Sequence, residues 1–439
     1  MKRSLYRRDT YLRTLRAFSN TDLIKIITGI RRCGKSSLLK LMMNDLLENG
    51  IGDEQIVEMN FESRSFSGMN AAGLYQYVQS REPKDKRLYL FLDELQRVEN
   101  WPEAINSFQV DFDCDIYITG SNAYLLSSEF ATYLSGRYVE IEMLPLSFSE
   151  FISFQGYTSE RYTTPTGEKK TRIRREADSE IFTTLDILNT YLRYGGMPAI
   201  SGIELIQEHI LTLLDGIYST VVLKDILERE KRRGRRQITD PFLLNKIALF
   251  LADNIGNSTS LLSIGKMIAA EGDVDEGKRR NKPALNTVKA YVGALLDSFV
   301  FYEAKRFDIK GKEYLKTQGK YYIVDPGLRN FLLGFTGRDT GRVLENVVFL
   351  ELQRRGYDVA VGKIGSLEVD FVATRGDEML YIQVTQSMAA NETRERELAP
   401  FRKLKNGFPK LIISGTPTLS NTEEGFPVKE VSEWLLEEE

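Results

Sequence analysis

Residues Gly29-Ile30-Arg31-Arg32-Cys33-Gly34-Lys35-Ser36 fit the pattern G-x-x-x-x-G-K-[ST], with a further hydroxyl at Ser37. In such a run the glycines let the backbone curl until its N–H groups face phosphate oxygens, and the helix that follows adds positive potential. Lys35 is then placed to reach the β and γ phosphates of a nucleotide, and Ser36 to ligate Mg²⁺, a cation that prefers oxygen. A second chemical pair, Asp93-Glu94, closes an uninterrupted apolar run from Leu88 to Leu92. Asp93 would complete the Mg²⁺ shell, while Glu94 would orient and deprotonate an attacking water. Ser121 and Asn122 follow the next apolar stretch, where a polar side chain can sense the γ phosphate or position the water. Arg137 stands after a glycine and could stabilise transition-state charge on a neighbouring copy's nucleotide, or equally form an ordinary surface ion pair. Two acids after a strand are common in proteins; together with the loop they specify nucleoside-triphosphate hydrolysis.

The surrounding periodicities predict the elements that must hold these groups. DLIKII reads as a strand entering the loop, and LLKLMMNDLLENG as the helix leaving it, ending at Gly50. QIVEMNF, RLYLFLDELQ, CDIYITGSN and RYVEIEMLPL alternate with helical stretches, the pattern of a parallel sheet with helices on both faces. Residues 155–180 are polar without apolar period and read as a solvated, partly mobile insertion. Helical segments around YLRYGGMPAI follow, and then a basic run at Lys231, Arg232, Arg233, Arg235 and Arg236. From 243 to 333 three helical periods precede two alternating segments, FVFYEAKRFDI and KYYIVDP, which together read as the three helices and hairpin of a winged helix. Its recognition position would fall on TVKAYVGALLDS, preceded by Lys278, Arg279, Arg280 and Lys282, the electrostatic footprint of a DNA reader. Basic loops are also often merely solvated, and winged helices also dock proteins. A helix, GRVLENVVFLELQRRG, then opens a second α/β unit with strands around DVAVGK, LEVDFVAT, MLYIQVTQS and KLIISG.

The order ITGIRRCGKSSLL, FLDELQ, ITGSN, LSGRYVEIEMLPLSFSEF and YGGMPA resembles the AAA-type P-loop ATPases, most closely a bacterial and archaeal group of predicted ATPases. The resemblance covers roughly the first half of the chain and the accessory region. It implies ATP/ADP and Mg²⁺ as ligands and gives Lys35, Ser36, Asp93, Glu94, Ser121 and Arg137 the roles derived above. It also places Arg8 and Tyr11 beside the adenine. The chain departs from that pattern in the lid, where Arg193 is the only nearby candidate for a sensor arginine. At the C terminus, Glu345 and Glu351 on the opening helix, Glu368-Val369-Asp370 and Gln383-Val384-Thr385 resemble the restriction-endonuclease-like core. Active members gather an acid on that helix, an Asp, and an acid-x-Lys around Mg²⁺ and a nucleophilic water. Gln383-x-Thr385 lacks the lysine, so Glu345, Asp370, Gln383 and Thr385 read as a degenerate nuclease site. Lys363 could supply the charge from the hairpin.

The expected architecture is therefore α/β multidomain: a parallel-sheet ATPase core at 1–154, the polar insertion at 155–180, and a helical lid at 181–240. A winged helix at 241–335 and a nuclease-like domain at 336–439 complete it. The 439 residues suit two to four such domains. With 59 Lys plus Arg against 62 Asp plus Glu, the net charge of -3 selects no partner, so DNA affinity must come from local patches. Two cysteines and one histidine exclude a disulfide framework or a Cys/His zinc site. The basic start carries no apolar stretch and no window reaches a membrane span, which leads us to expect a cytoplasmic protein with reduced thiols. Three functions fit: an ATPase acting on DNA, with Arg137 offering contact to a second copy in a homo-oligomer; a nucleotide-gated switch that binds protein; or a nuclease licensed by ATP.

Overall fold

The structure, a computed structural model, describes residues 5–123, 136–165, 167–219, 225–228, 238–270, 283–315, 318–335, 337, 339–417 and 420–437. The chain divides into two compact units, Met1–Leu144 with Asp297–Phe299, and Pro145–Leu296 with Val300–Glu439.

In the first unit, β1 (Ile24–Thr28), β2 (Ile56–Asn60), β3 (Leu88–Asp93), β4 (Cys114–Thr119) and β5 (Tyr138–Glu142) form one sheet in the order β2-β3-β4-β1-β5. Every pairing is parallel. All residues of β1 and β3 are buried, as strands covered on both faces by helices should be. Phe91 stacks on Tyr117 of the next strand with ring centroids 4.6 Å apart. Because β1, β3 and β4 are neighbours and run the same way, their C-terminal ends open on one crevice, the usual ligand position in open α/β sheets. At the opposite end of the sheet Lys25 is ion-paired with Asp115, both fully buried, and Asp115 also accepts from Tyr117 and from the Asn20 amide.

The second unit begins before the expected boundary at 154. The Leu146 amide donates to the Gly196 carbonyl at 2.7 Å and Tyr191 donates to the Leu146 carbonyl at 2.9 Å, so the segment after Leu144 packs with the helix Thr184–Tyr194. The expected mobile insertion is instead an antiparallel sheet of β6 (Tyr157–Thr163), β7 (Lys169–Arg175) and β8 (Ile181–Thr183). Its polar sequence conceals cross-strand pairs: Glu160 binds both Arg172 and Arg174, and Tyr157 packs edge-on against Phe182. Thr171 is tied through its amide and hydroxyl to Glu433, far along the chain. Such pairs stabilise a sheet without any apolar stripe to announce it.

Further along, the helices Pro241–Asp253, Leu261–Ala270 and Leu285–Asp297 accompany an antiparallel sheet of β9 (Ser258–Thr259), β10 (Phe301–Ala304) and β13 (Gly319–Ile323). The segment FVFYEAKRFDI, read as one strand, is two. After Ala304 the chain leaves this sheet, and β11 (Arg306–Asp308) with β12 (Glu313–Tyr314) joins the edge of another. That sheet has eight strands in the order β12-β11-β14-β15-β16-β17-β19-β18. Its other members are β14 (Asp358–Ile364), β15 (Leu367–Arg375), β16 (Glu378–Thr385), β17 (Lys410–Ser414), β18 (Thr422–Glu423) and β19 (Phe426–Glu430). The expected boundary at 335 therefore cuts through a sheet, because strands on either side of it pair. Among the described residues no helix is long and apolar enough to cross a membrane. The basic residues Lys231, Arg232, Arg233, Arg235, Arg236, Lys278, Arg279, Arg280 and Lys282 lie outside the described residues.

Candidate functional site

The loop between β1 and the helix Lys35–Glu48 holds a strained backbone. Gly29 has φ +131° and Gly34, the helix N-cap, φ +110°. A Cβ on Gly29 would collide with the Met143 carbonyl oxygen, so the first glycine is required by close approach as well as by conformation. Arg32 takes φ +66°, and the Cys33 amide closes a turn onto the Ile30 carbonyl at 3.3 Å. Lys35 is buried, and its ammonium donates to the carbonyls of Gly29 at 2.9 Å and Ile30 at 3.0 Å. Arg31 extends from the loop to Glu62, which also binds Arg97.

Ser36 of the loop and Asp93 interact electrostatically, the serine hydroxyl favouring the ionised carboxylate. Asp93 also accepts from Thr119 at 2.5 Å and from the Asn60 side chain at 2.8 Å. Burial raises its pKa above the ordinary carboxylate range, with the Thr119 and Ser36 hydrogen bonds opposing. Thr119 links the acid pair, since its hydroxyl oxygen accepts from the Glu94 amide at 2.9 Å while its proton goes to Asp93. Glu94 is buried and sits in the left-handed region at φ 57°, a conformation unusual outside glycine and frequent where a side chain is aimed for function. Its Oε2 accepts from Ser121 at 3.2 Å and Gln96 at 2.5 Å. Asn122, beside Ser121, is buried.

Arg8 reaches the same loop, with Tyr11 beside it. The Arg8 guanidinium donates to the carbonyls of Cys33 at 3.1 Å and Leu144 at 3.0 Å, and it lies 4.7 Å from the centre of the Tyr11 ring. The Tyr11 hydroxyl accepts from the Leu144 amide. Arg8 thus ties the start of the N-terminal helix Asp9–Ala17 to the phosphate loop, and Tyr11 ties that helix to Leu144. Cys33 is fully buried, and burial pushes its thiol up, so it is inert packing under the loop. Arg137 is exposed just ahead of β5, and its backbone carbonyl accepts from Ile24.

The donor set fits a magnesium nucleotide: Ser36 and Asp93 as oxygen ligands, a lysine against the loop, and glycines where side chains would fill the cradle. Ser37 opens the helix beside Ser36. Thr119 and Asn60 escaped the sequence reading. The available signal was a polar residue ending each of two apolar strands, CDIYIT and QIVEMN.

In the second unit Arg193 donates to Gln207 at 2.6 Å and lies over the rings of Tyr194 and Phe335, engaged within its own unit. The nuclease-like residues are brought together in part. Glu345 on the helix Thr340–Arg354, Glu368 and Asp370 on β15, and Gln383 and Thr385 on β16 line one cleft of about 770 Å³. Glu351 is not among them, being buried in ion pairs with Arg354 and Arg355. The ammonium at the carboxylates does not come from Lys363, whose backbone merely stands opposite Glu368 in the strand register. Lys320 of β13 provides it, at 2.9 Å from Glu345, 2.8 Å from Glu368 and 3.9 Å from Asp370. Burial works against this ammonium, yet Glu345, Asp370 and Glu368 together carry its pKa above the ordinary lysine range. Burial, reinforced by Glu345, pushes the Asp370 carboxyl well above the ordinary carboxylate range. With Lys320 standing among these acids, no group of three or more Asp, Glu, His or Cys side chains among the described residues is arranged to hold a metal ion.

Residues 21–152 match a family described as an AAA domain, and residues 185–339 a domain of unknown function. An uncharacterized protein of Haemophilus influenzae is 37% identical over the whole of both chains. Another, of Methanocaldococcus jannaschii, is 30% identical over 92% of this chain and 83% of its own. Among solved structures, the Aeropyrum pernix Orc1 protein in complex with DNA is 13% identical over 75% of this chain and 92% of that one, at a TM-score of 0.31. The Thermotoga maritima RuvB Holliday junction branch migration motor is 12% identical over 68% and 90%, also at 0.31.

Proposed function

The chain belongs to the family of these Haemophilus and Methanocaldococcus relatives and carries an AAA domain, and on that premise we propose that it hydrolyses ATP and couples turnover to DNA. The AAA fold supports nucleotide binding and hydrolysis. The observation that carries the reading further is the hydrogen-bonded series Asp93, Thr119, Glu94 and Ser121 at the ends of the adjacent strands β3 and β4, with Ser36 of the loop interacting with Asp93.

In this reading the loop amides and Lys35 bind the phosphates. Ser36 and Asp93 would hold a magnesium ion, which supplies neutralisation of phosphate charge. Glu94 takes a proton from water as the water oxygen bonds to the γ phosphorus and the bond to the bridging oxygen breaks, releasing ADP and phosphate. Ser121 and Gln96 hold the Glu94 carboxylate, and Asn122 stands near them in sequence to position the water. Arg8 and Tyr11 lie by the adenine, Arg8 also bracing the loop through the Cys33 carbonyl, and Arg137 acts on the nucleotide of a second copy. DNA is held by the winged-helix region through Lys278, Arg279, Arg280 and Lys282, and by the nuclease-like domain, which grips without cutting.

The test is steady-state ATP hydrolysis by the wild type and Glu94→Gln, with and without duplex, single-stranded and branched DNA, at two salt concentrations. Stimulation by one DNA form that fades with salt supports the reading. Turnover indifferent to every DNA overturns the DNA part and leaves the nucleotide-gated protein switch.

A further inference from the structure

Lys320 is buried, although it lies on a short strand assigned to a different sheet from Glu368 and Asp370. Its Nζ stands 2.9 Å from Glu345 Oε1, 2.8 Å from Glu368 Oε1 and 3.9 Å from Asp370 Oδ1. Two residues on, and so on the same face of β13, the Tyr322 hydroxyl donates to the same Glu345 oxygen at 2.7 Å. The remaining valences around Asp370 are also taken up. Its Oδ2 accepts from the Val384 amide at 2.9 Å, and its own amide donates to Gln383 Oε1 at 2.7 Å. Gln383 then donates to Glu397 at 2.8 Å, so its oxygen is turned to backbone. Arg306 approaches Glu368 only at 4.0 Å. Glu345 and Asp370 are largely shielded from water and Glu368 is about a third exposed, and the cation in contact with this acid group is the lysine ammonium.

We propose that Lys320 is the resident cation of this carboxylate site: its ammonium holds the place of a divalent metal, and its removal exposes a divalent-cation site built from Glu345, Glu368 and Asp370. Glu345 and Glu368 alone outnumber the one ammonium, so without it the site is an oxygen-rich, uncompensated anion, the environment that hard divalent cations seek. A lysine carried in from β13 thereby fills the metal position itself, rather than completing a metal-dependent site in place of the lysine that Gln383-x-Thr385 lacks. This inference rests on the contacts around Lys320 and not on ATP hydrolysis.

The experiment is Mn²⁺ binding to the full chain, read by the electron paramagnetic resonance of free Mn²⁺ without nucleotide. It is made in an Asp93→Asn background that removes a metal ligand of the nucleotide site. The expected result is no Asp370-dependent binding up to on the order of 1 mM with Lys320 intact. Lys320→Met should bind Mn²⁺ at least about tenfold more tightly, and Asp370→Asn added to it should abolish the gain. Asp370-dependent binding with Lys320 present, or no gain in a folded Lys320→Met protein, overturns the proposal. If Lys320→Met and Lys320→Gln both fail to fold alone, recovery of the cooperative melt on adding Mn²⁺ supports it, and failure to recover overturns it.

Discussion

Glu94 combines a left-handed backbone, costing about 1–3 kcal/mol, with a carboxylate fixed by Ser121 and Gln96. A position held against such a cost is aimed, and removing the charge without the shape should separate binding from chemistry. Glu94→Gln is expected to retain nucleotide while turnover falls by about 10²- to 10⁴-fold, checked by fluorescent-nucleotide titration beside phosphate release. Normal hydrolysis in that variant would remove Glu94 as the base. Thr119→Val tests the link between the acids. The Glu94 amide loses its acceptor and Asp93 loses a donor, so we expect about 1–3 kcal/mol less stability in urea titration and lower turnover. Arg8→Ala strips the Cys33 and Leu144 carbonyls of a shared charged donor, and nucleotide affinity should weaken although Arg8 lies under the loop.

At the scale of elements, close backbone approaches decide what can change. Gly29→Ala should abolish nucleotide binding, because its Cβ meets the Met143 carbonyl and its φ is positive; a titration that finds wild-type affinity would refute this. In the second unit the YGGMPA turn is locked by Asp325, which accepts from the Gly196 amide at 2.6 Å and from the Leu328 amide at 2.9 Å. Burial pushes the Asp325 carboxyl up to about 6, the backbone donors opposing. The unfolded chain releases this proton near pH ~4 and the folded chain near 6, so folding stability falls as pH rises across that window, by about 3 kcal/mol, and is level above it. Asp325→Asn should flatten that fall, seen in urea midpoints at the two ends of the window. At neutral pH it should itself be less stable by about 1–3 kcal/mol, since an amide cannot accept at both oxygens.

For the whole molecule, a net charge of -3 supplies no general attraction to DNA. Any affinity must come from local basic residues, and its salt dependence counts them. Replacing Lys278, Arg279, Arg280 and Lys282 by Gln should lower the slope of log affinity against log salt by up to about 0.9 for each lost phosphate contact, measured by fluorescence anisotropy of a labelled duplex. An unchanged slope would take these residues out of the interface.

The nucleotide site was legible in the sequence because its parts are local: a loop motif between a strand and a helix, and acids that end an apolar strand. Glu94 and Ser121 come together because strand periodicity and parallel order already put β3 and β4 ends side by side. The hairpin at 157–175 was illegible, since cross-strand ion pairs such as Glu160 with Arg172 and Arg174 leave no apolar period to read. The division of FVFYEAKRFDI between two sheets was hidden for a related reason, as alternation tells which face is buried but not which sheet supplies the partner. The motif thus determined an ATPase-type loop, and the sequence marked Glu345, Asp370, Gln383 and Thr385 as a group without a lysine. Only the tertiary structure decided that the ammonium at that group is Lys320. Its position depends on where β13 meets residues 25 to 50 places later in the chain, and no local pattern encodes a contact of that separation.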